Sequence, residues 1–118
     1  MPLKNPLTAR NKEPSELDLS ALEELIMTAL LNQELYGLQM VQAIEEASNG
    51  RRKLAVGSLY PTLHRLEKKG FISSRWGDDR PEERAGARRR YYQLTGLGSS
   101  AIKESQQLRT NLMSWQPV

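Results

Sequence analysis

Tyr60, Thr62, His64, Arg65 and Lys68 crowd one short segment, and a run of arginines, Arg80, Arg84, Arg88, Arg89 and Arg90, follows within one further stretch of chain. Hydroxyl, imidazole, ammonium and guanidinium groups are the donors that reach phosphate oxygens and base edges, and the arginine fork suits both. Their surroundings reinforce the pattern. Between Arg51 and Arg90 twelve Lys or Arg face five acids, a net charge of +7, while the remainder of the chain carries −4. A polyanion is drawn to the middle of such a molecule and is held more weakly as salt rises. The alternative for a charge excess is a solvated, mixed-charge surface.

Catalytic chemistry finds little support. With no cysteine and His64 as the only histidine, disulfides, thiol nucleophiles and Cys/His metal sites are excluded within one chain. There is no Gly-rich phosphate loop with its lysine and no Ser/His/Asp set in a strand-turn-helix context. Asp78-Asp79 and Glu82-Glu83 are adjacent acids in a polar loop that converge poorly, so they read as a solvated tip rather than a magnesium site. The expectation is therefore a non-enzyme without cofactor or metal. The 118 residues suit one domain, and no apolar run approaches the length of a membrane span. Met1 to Pro6 carry no apolar signal-peptide core followed by small residues, and cytoplasmic residence is expected.

The elements that must position these groups follow from periodicity. Residues 1–14 hold Pro2, Pro6 and Pro14 among polar residues and read as a flexible arm. A first helix is expected from Ser15, with Ser15 or Asp18 as cap and Leu19, Leu22, Leu25, Ile26, Ala29 and Leu30 recurring at helical spacing. Tyr36-Gly37 breaks that pattern. Leu38, Val41, Ile44 and Ala47 mark a second helix that stops at Ser48-Asn49-Gly50. Leu54 and Val56 alternate as in a very short strand. A third helix is then expected with Ser58 as cap, Pro61 in its first turn, Leu59, Leu63 and Leu66 inward, and Lys68-Lys69-Gly70 as its stop. That assignment puts Tyr60, Thr62, His64, Arg65 and Lys68 on or near its outer faces.

Phe71 to Trp76 and Arg88 to Leu94 read as the two strands of a hairpin whose long polar tip, Asp78 to Ala87, projects as a wing. Alternation along the second strand points Arg88 and Arg90 one way and Arg89 the other. Thr95 caps a last helix with Leu97, Ala101, Ile102, Ser105, Leu108 and Leu112 on one side. The fold class is thus mainly α with a small β-hairpin, a winged helix-turn-helix. Residues 15–95 form its body and 96–118 a terminal helix and tail. A third helix lying beside a basic loop can enter the major groove while the wing reaches the adjacent backbone.

Three motifs in this order carry a family likeness: Tyr36-Gly37, the run Gly57-Ser58-Leu59-Tyr60-Pro61-Thr62-Leu63-His64-Arg65-Leu66-Glu67-Lys68-Lys69-Gly70-Phe71-Ile72, and Arg89-Arg90-Tyr91-Tyr92-Gln93-Leu94-Thr95 followed by Gly98. Across about residues 19–105 the chain resembles the PadR family of transcriptional regulators. The resemblance implies a winged helix-turn-helix that binds double-stranded DNA as a homodimer, usually as a repressor, on an inverted-repeat operator. It places Ser58, Tyr60, Thr62, His64 and Arg65 at the DNA face and the wing arginines beside phosphates. Dimerisation through the last helix makes Leu108, Leu112 and Trp115 the candidate interface, whereas Ile102 is expected to pack within its own domain. The ending is shorter than in the better-known members. Some members bind an aromatic effector against tryptophans of the dimerisation helix, but Trp76 and Trp115 read as packing residues here, so a small aromatic effector lacks support from the sequence. A protein-interaction module on the same scaffold remains the competing expectation.

Overall fold

The first helix begins where a reciprocal pair of hydrogen bonds closes its open end. In the computed structural model, which describes residues 18–77 and 88–118, Ser20 Oγ accepts from the Glu23 backbone N–H at 3.1 Å and the Glu23 carboxylate accepts from the Ser20 N–H at 2.8 Å. This capping box starts α1 at Ala21, and the helix runs to Ala29. Asp18 therefore lies outside the helix, contrary to the expected cap. Ser15 and the 1–14 arm lie outside the described residues, as do Asp78 to Ala87 of the wing tip.

A two-residue strand not expected from the sequence follows, β1 (Leu35–Tyr36). It leads directly into α2 (Gly37–Ala47), whose start is closed by the Gln39 side chain accepting from the Tyr36 N–H. Met40 and Ile44 fill the core from α2, while Leu38 is exposed. Leu38 was expected inward; at about 100° per residue the buried phase is Gly37, Met40 and Ile44, and Leu38 falls off it. The predicted stop holds, with Asn49 and Gly50 both at positive φ.

Residues 51–55 form no strand. Helix α3 (Val56–Lys68) begins two residues before the expected Ser58 cap, with Ala55 at the N-cap position and no side-chain cap. Ser58 is consequently inside the first turn, and Pro61, the sixth helical residue, lies beyond it. Leu59, Leu63 and Leu66 point inward as expected. Gly70, at φ +80°, turns the chain into β2 (Ile72–Trp76). Strand β3 (Arg90–Leu94) returns antiparallel to β2, with Ser74 opposite Tyr92 and Trp76 opposite Arg90. It also pairs with β1, so the sheet has three strands in the order β1-β3-β2 rather than the two of a simple hairpin.

Helix α4 (Gly96–Ser114) is capped as expected by Thr95, whose Oγ accepts from the Gly98 N–H. The same hydroxyl donates to the Gly70 carbonyl at 2.6 Å, tying the start of α4 to the end of α3. The core gathers Ile26 and Met27 of α1, Leu30 just past its end, the α2 and α3 residues above, Phe71, Ile72, Tyr92 and Ile102. Ile102 packs within its own domain, as anticipated. On α1, Glu24 accepts from Ser105 and pairs with Arg109, so polar contacts also hold α4 to α1. No described helix is long and apolar enough to cross a membrane.

Glu23 is the most consequential buried charge. Burial raises its affinity for a proton, yet the Ser20 N–H, the Lys69 ammonium at 2.9 Å and Arg65 outweigh that, holding its pKa below the ordinary 4.5. A carboxylate with a depressed folded-state pKa stabilises the fold above its unfolded pKa, and that contribution is lost as pH falls through the folded value. Acidification below about pH 5 should therefore lower the urea midpoint less steeply in Glu23→Gln than in wild type. Parallel slopes for the two proteins would rule out this role for Glu23.

Candidate nucleic-acid interface

The outer side of α3 is assembled by its inner side. With Leu59, Leu63 and Leu66 committed to the core, Ser58, Tyr60, His64, Arg65 and Lys68 are left exposed. Thr62 is the exception among the expected residues. It is only 2% exposed, its hydroxyl donates to the Ser58 carbonyl at 2.8 Å, and Arg65 Nη2 donates to it in turn at 3.1 Å. Helical rotation places Thr62 next to Leu59, Leu63 and Leu66 on the inward arc, so it orients Arg65 from within instead of facing outward.

Tyr60 serves two purposes. Its ring crosses the first residue of α2 so closely that a Cβ at Gly37 would lie 2.5 Å from the Tyr60 hydroxyl, while 46% of the residue stays exposed. A side chain at position 37 would displace the Tyr60 ring from this position, so Gly37 lets Tyr60 lie close against the start of α2. Arg65 also faces inward partners, with Nε 3.9 Å from the Glu23 carboxylate, yet about half its side chain is exposed. A tethered guanidinium loses less freedom when it meets a ligand.

The hairpin sorts its arginines as strand alternation predicted. The guanidinium groups of Arg88 and Arg90 lie 5.8 Å and 4.9 Å from the centre of the Trp76 ring, and Arg89 lies over Tyr36 on the other side. That second side is an aromatic and ionic cluster: Tyr36 meets Tyr91 edge-on, Arg75 lies over Tyr91, and Arg75 binds the Glu34 carboxylate in two-point fashion at 2.8 and 2.7 Å. The Arg75 hydrogen bonds hold the Glu34 carboxyl below its ordinary pKa. Trp76, read from the sequence as a packing residue, is instead half exposed, and what lies against its ring is arginine. Arg80 and Arg84 lie outside the described residues.

Glu23, Glu34, Glu67 and Ser74 were not singled out from the sequence. Only the first had a local signal, the Ser20-x-x-Glu23 spacing of a capping box. Leu108, Leu112 and Trp115 on and after α4 are 58, 64 and 67% exposed. Leu108 and Leu112 line a groove with Leu19, Phe71, Leu97 and Ala101. Among the described residues no group of three His, Asp or Glu could hold a metal ion.

This architecture coincides with a known sequence pattern, since residues 26–104 match the model of the PadR-like family of transcriptional regulators. The chain belongs to that family. Its members are regulators of transcription and not enzymes. The PadR-like chain is 33% identical over 91 residues to the transcriptional regulator Rv3488 of Mycobacterium tuberculosis, spanning 75% of this chain and 76% of the relative. A PadR-like transcription factor from Bacteroides fragilis superposes with a TM-score of 0.67 at 33% identity, covering 77% of this chain and 82% of the other. PadR from Bacillus subtilis, solved in complex with operator DNA, shares the fold with a TM-score of 0.64 at 22% identity, over 84% of this chain and 51% of that one. The winged-helix arrangement expected from the PadR-like sequence is the one observed, with β1 added to the hairpin.

Proposed function

We propose that this chain is a sequence-specific, double-stranded-DNA-binding transcriptional regulator, a repressor, that acts as a homodimer on an inverted-repeat operator. The observation that carries the reading is the exposed row Ser58, Tyr60, His64, Arg65 and Lys68 on α3, set beside a hairpin with Arg88 and Arg90 on one side. A helix about 10–12 Å across fits a major groove about 12 Å wide, and wing cations then lie against the neighbouring phosphates. Repression is carried over from the family resemblance, and a role on operator DNA implies the cytoplasm. The homodimer reading rests on the exposed apolar residues of α4, and it implies half-sites about 34–36 Å apart. Arg80, Arg84 and Arg89 belong to the same proposed wing. An aromatic effector gains nothing from the tryptophans: Trp76 carries two arginines, and Trp115 sits exposed past the end of α4.

Selection from a random duplex library at about physiological salt tests the reading. The expected result is an enriched palindrome bound more tightly than scrambled duplex. Arg88→Ala should weaken binding to both duplexes alike and reduce the slope of log K against log salt by about 0.9, one phosphate contact. No enrichment, together with a protein partner retained at high salt through α4, would favour the interaction-module reading instead.

A further inference from the structure

One hydrogen-bonded chain runs from the groove-facing helix into the hairpin. Glu67 stands in the last turn of α3, Ser74 at the middle of β2 and Arg90 at the start of β3. Ser74 Oγ donates to Glu67 Oε2 at 2.6 Å and accepts from Arg90 Nε at 3.0 Å, so a single hydroxyl couples the acid to the base. The Arg90 guanidinium also lies against the Trp76 ring, 4.9 Å from its centre. Arg90 is thus tied to β2 directly, through Ser74 and Trp76, and to α3 through the shared Ser74 hydroxyl. Its neighbour on the same side, Arg88, is exposed, and its contacts among the described residues are the Trp76 ring and a long hydrogen bond to the Gly77 carbonyl at 3.3 Å.

The two arginines thus differ in what they have left to offer. A planar guanidinium with its Nε and one face engaged is a strut, while a guanidinium held by a more distant ring and one long hydrogen bond keeps donors in reserve. The chemistry of the strut is selective as well. Lysine lacks the Nε–H that meets Ser74, and an apolar residue at position 74 would leave Glu67 and Arg90 without their shared partner.

We propose that Arg90 is a positioning residue rather than a phosphate ligand, and that the Glu67–Ser74–Arg90 chain fixes the angle between α3 and the wing, so that Arg88 meets the backbone beside the groove that α3 enters. The proposal rests on the DNA-binding reading above and refines it. A rigid angle matters because a wing free to swing loses its contact with the phosphates in register with the bases read by α3.

Charge provides a test of opposite sign. Glu67→Ala removes a negative charge next to the DNA face, so electrostatics acting without positioning would tighten binding to every duplex. The chain predicts the reverse for the operator: Glu67→Ala and Ser74→Ala each bind the selected palindrome about tenfold more weakly, while binding to scrambled duplex is unchanged or, for Glu67→Ala, stronger. Ser74→Thr, which keeps the hydroxyl on a strand-favouring side chain, restores the wild-type preference. In the free protein the Arg90 Nε–H resonance is slow to exchange in wild type and fast in Ser74→Ala. Thermal unfolding of each variant confirms that the domain is intact.

Operator binding by Glu67→Ala that tightens in step with scrambled duplex overturns the positioning role, and so does wild-type operator affinity in Ser74→Ala. Rapid exchange of the Arg90 Nε–H in the wild-type protein overturns it without any DNA. If wild type itself prefers no sequence, the DNA-binding reading fails first and takes this proposal with it, an outcome distinct from loss of positioning alone.

Discussion

Gly98→Ala is expected to leave little folded protein at ordinary temperature. A Cβ at this position would sit 1.9 Å from the carbonyl oxygen of Phe71, 2.8 Å from its carbonyl carbon and 3.0 Å from its Cα. Every one of those atoms is backbone, so no side chain can swing aside. The carbonyl in question accepts from the Thr95 N–H at 3.0 Å, and Phe71 itself is in the core. Relief requires α4 to move away by more than an ångström. That would break the Thr95 links to Gly70 and Phe71 and lift Ile102 from its site.

Ordinary overpacking costs about 1–3 kcal/mol because side chains and backbone share the strain. Here the backbone takes all of it, and a cost above about 4 kcal/mol, a large part of a stability of about 5–15 kcal/mol, is expected. Urea unfolding of the purified variant measures it. Gly57→Ala is the control, since a Cβ there meets nothing within 4 Å and the residue lies inside α3, where alanine should stabilise by up to about 1 kcal/mol. A Gly98→Ala protein within about 1 kcal/mol of wild type would contradict the close approach of α4 to Phe71.

The second large effect concerns assembly. Leu108 and Leu112 contribute nothing to the core of their own domain, being 58 and 64% exposed, and Met113 and Trp115 extend the same apolar end of the chain. Leu108→Asp with Leu112→Asp should therefore fold with nearly wild-type stability. Under the proposed homodimer, the double variant sediments as a monomer. Its operator affinity falls by about 10²–10⁴, because the second half-site no longer gains from being tethered to the first. Ile102, one stripe of the same helix away, is fully buried against α1, so Ile102→Ala should instead destabilise the fold by about 2–5 kcal/mol. A double variant that remains dimeric with full operator affinity would remove α4 from the assembly.

The order of elements was written in local patterns. Leu59, Leu63 and Leu66 at helical spacing, Gly50 and Gly70 at positive φ after two helices, and Thr95 ahead of Gly98 each act on residues within a turn of themselves, and these hold in the structure. The same holds for the separation of Arg88 and Arg90 from Arg89, which needs only the twofold period of a strand. Errors arose where a local pattern fits two phases. Leu38 and Met40 are both apolar, and only tertiary packing chooses Met40 for the core. Thr62 is polar enough to suit a surface, and only the neighbouring leucines carry it inward.

Other features have no local signature whatever. β1 is two residues long and exists because β3 offers it an edge more than fifty positions later. Glu23 meets Lys69, Glu34 meets Arg75, and Arg90 meets Ser74 across loops that the sequence does not measure. Composition and spacing determined that this chain would present hydroxyls and cations on a helix and a hairpin. Tertiary structure decided which of those groups were already engaged, because a side chain's availability depends on neighbours that folding, and not proximity along the chain, brings to it.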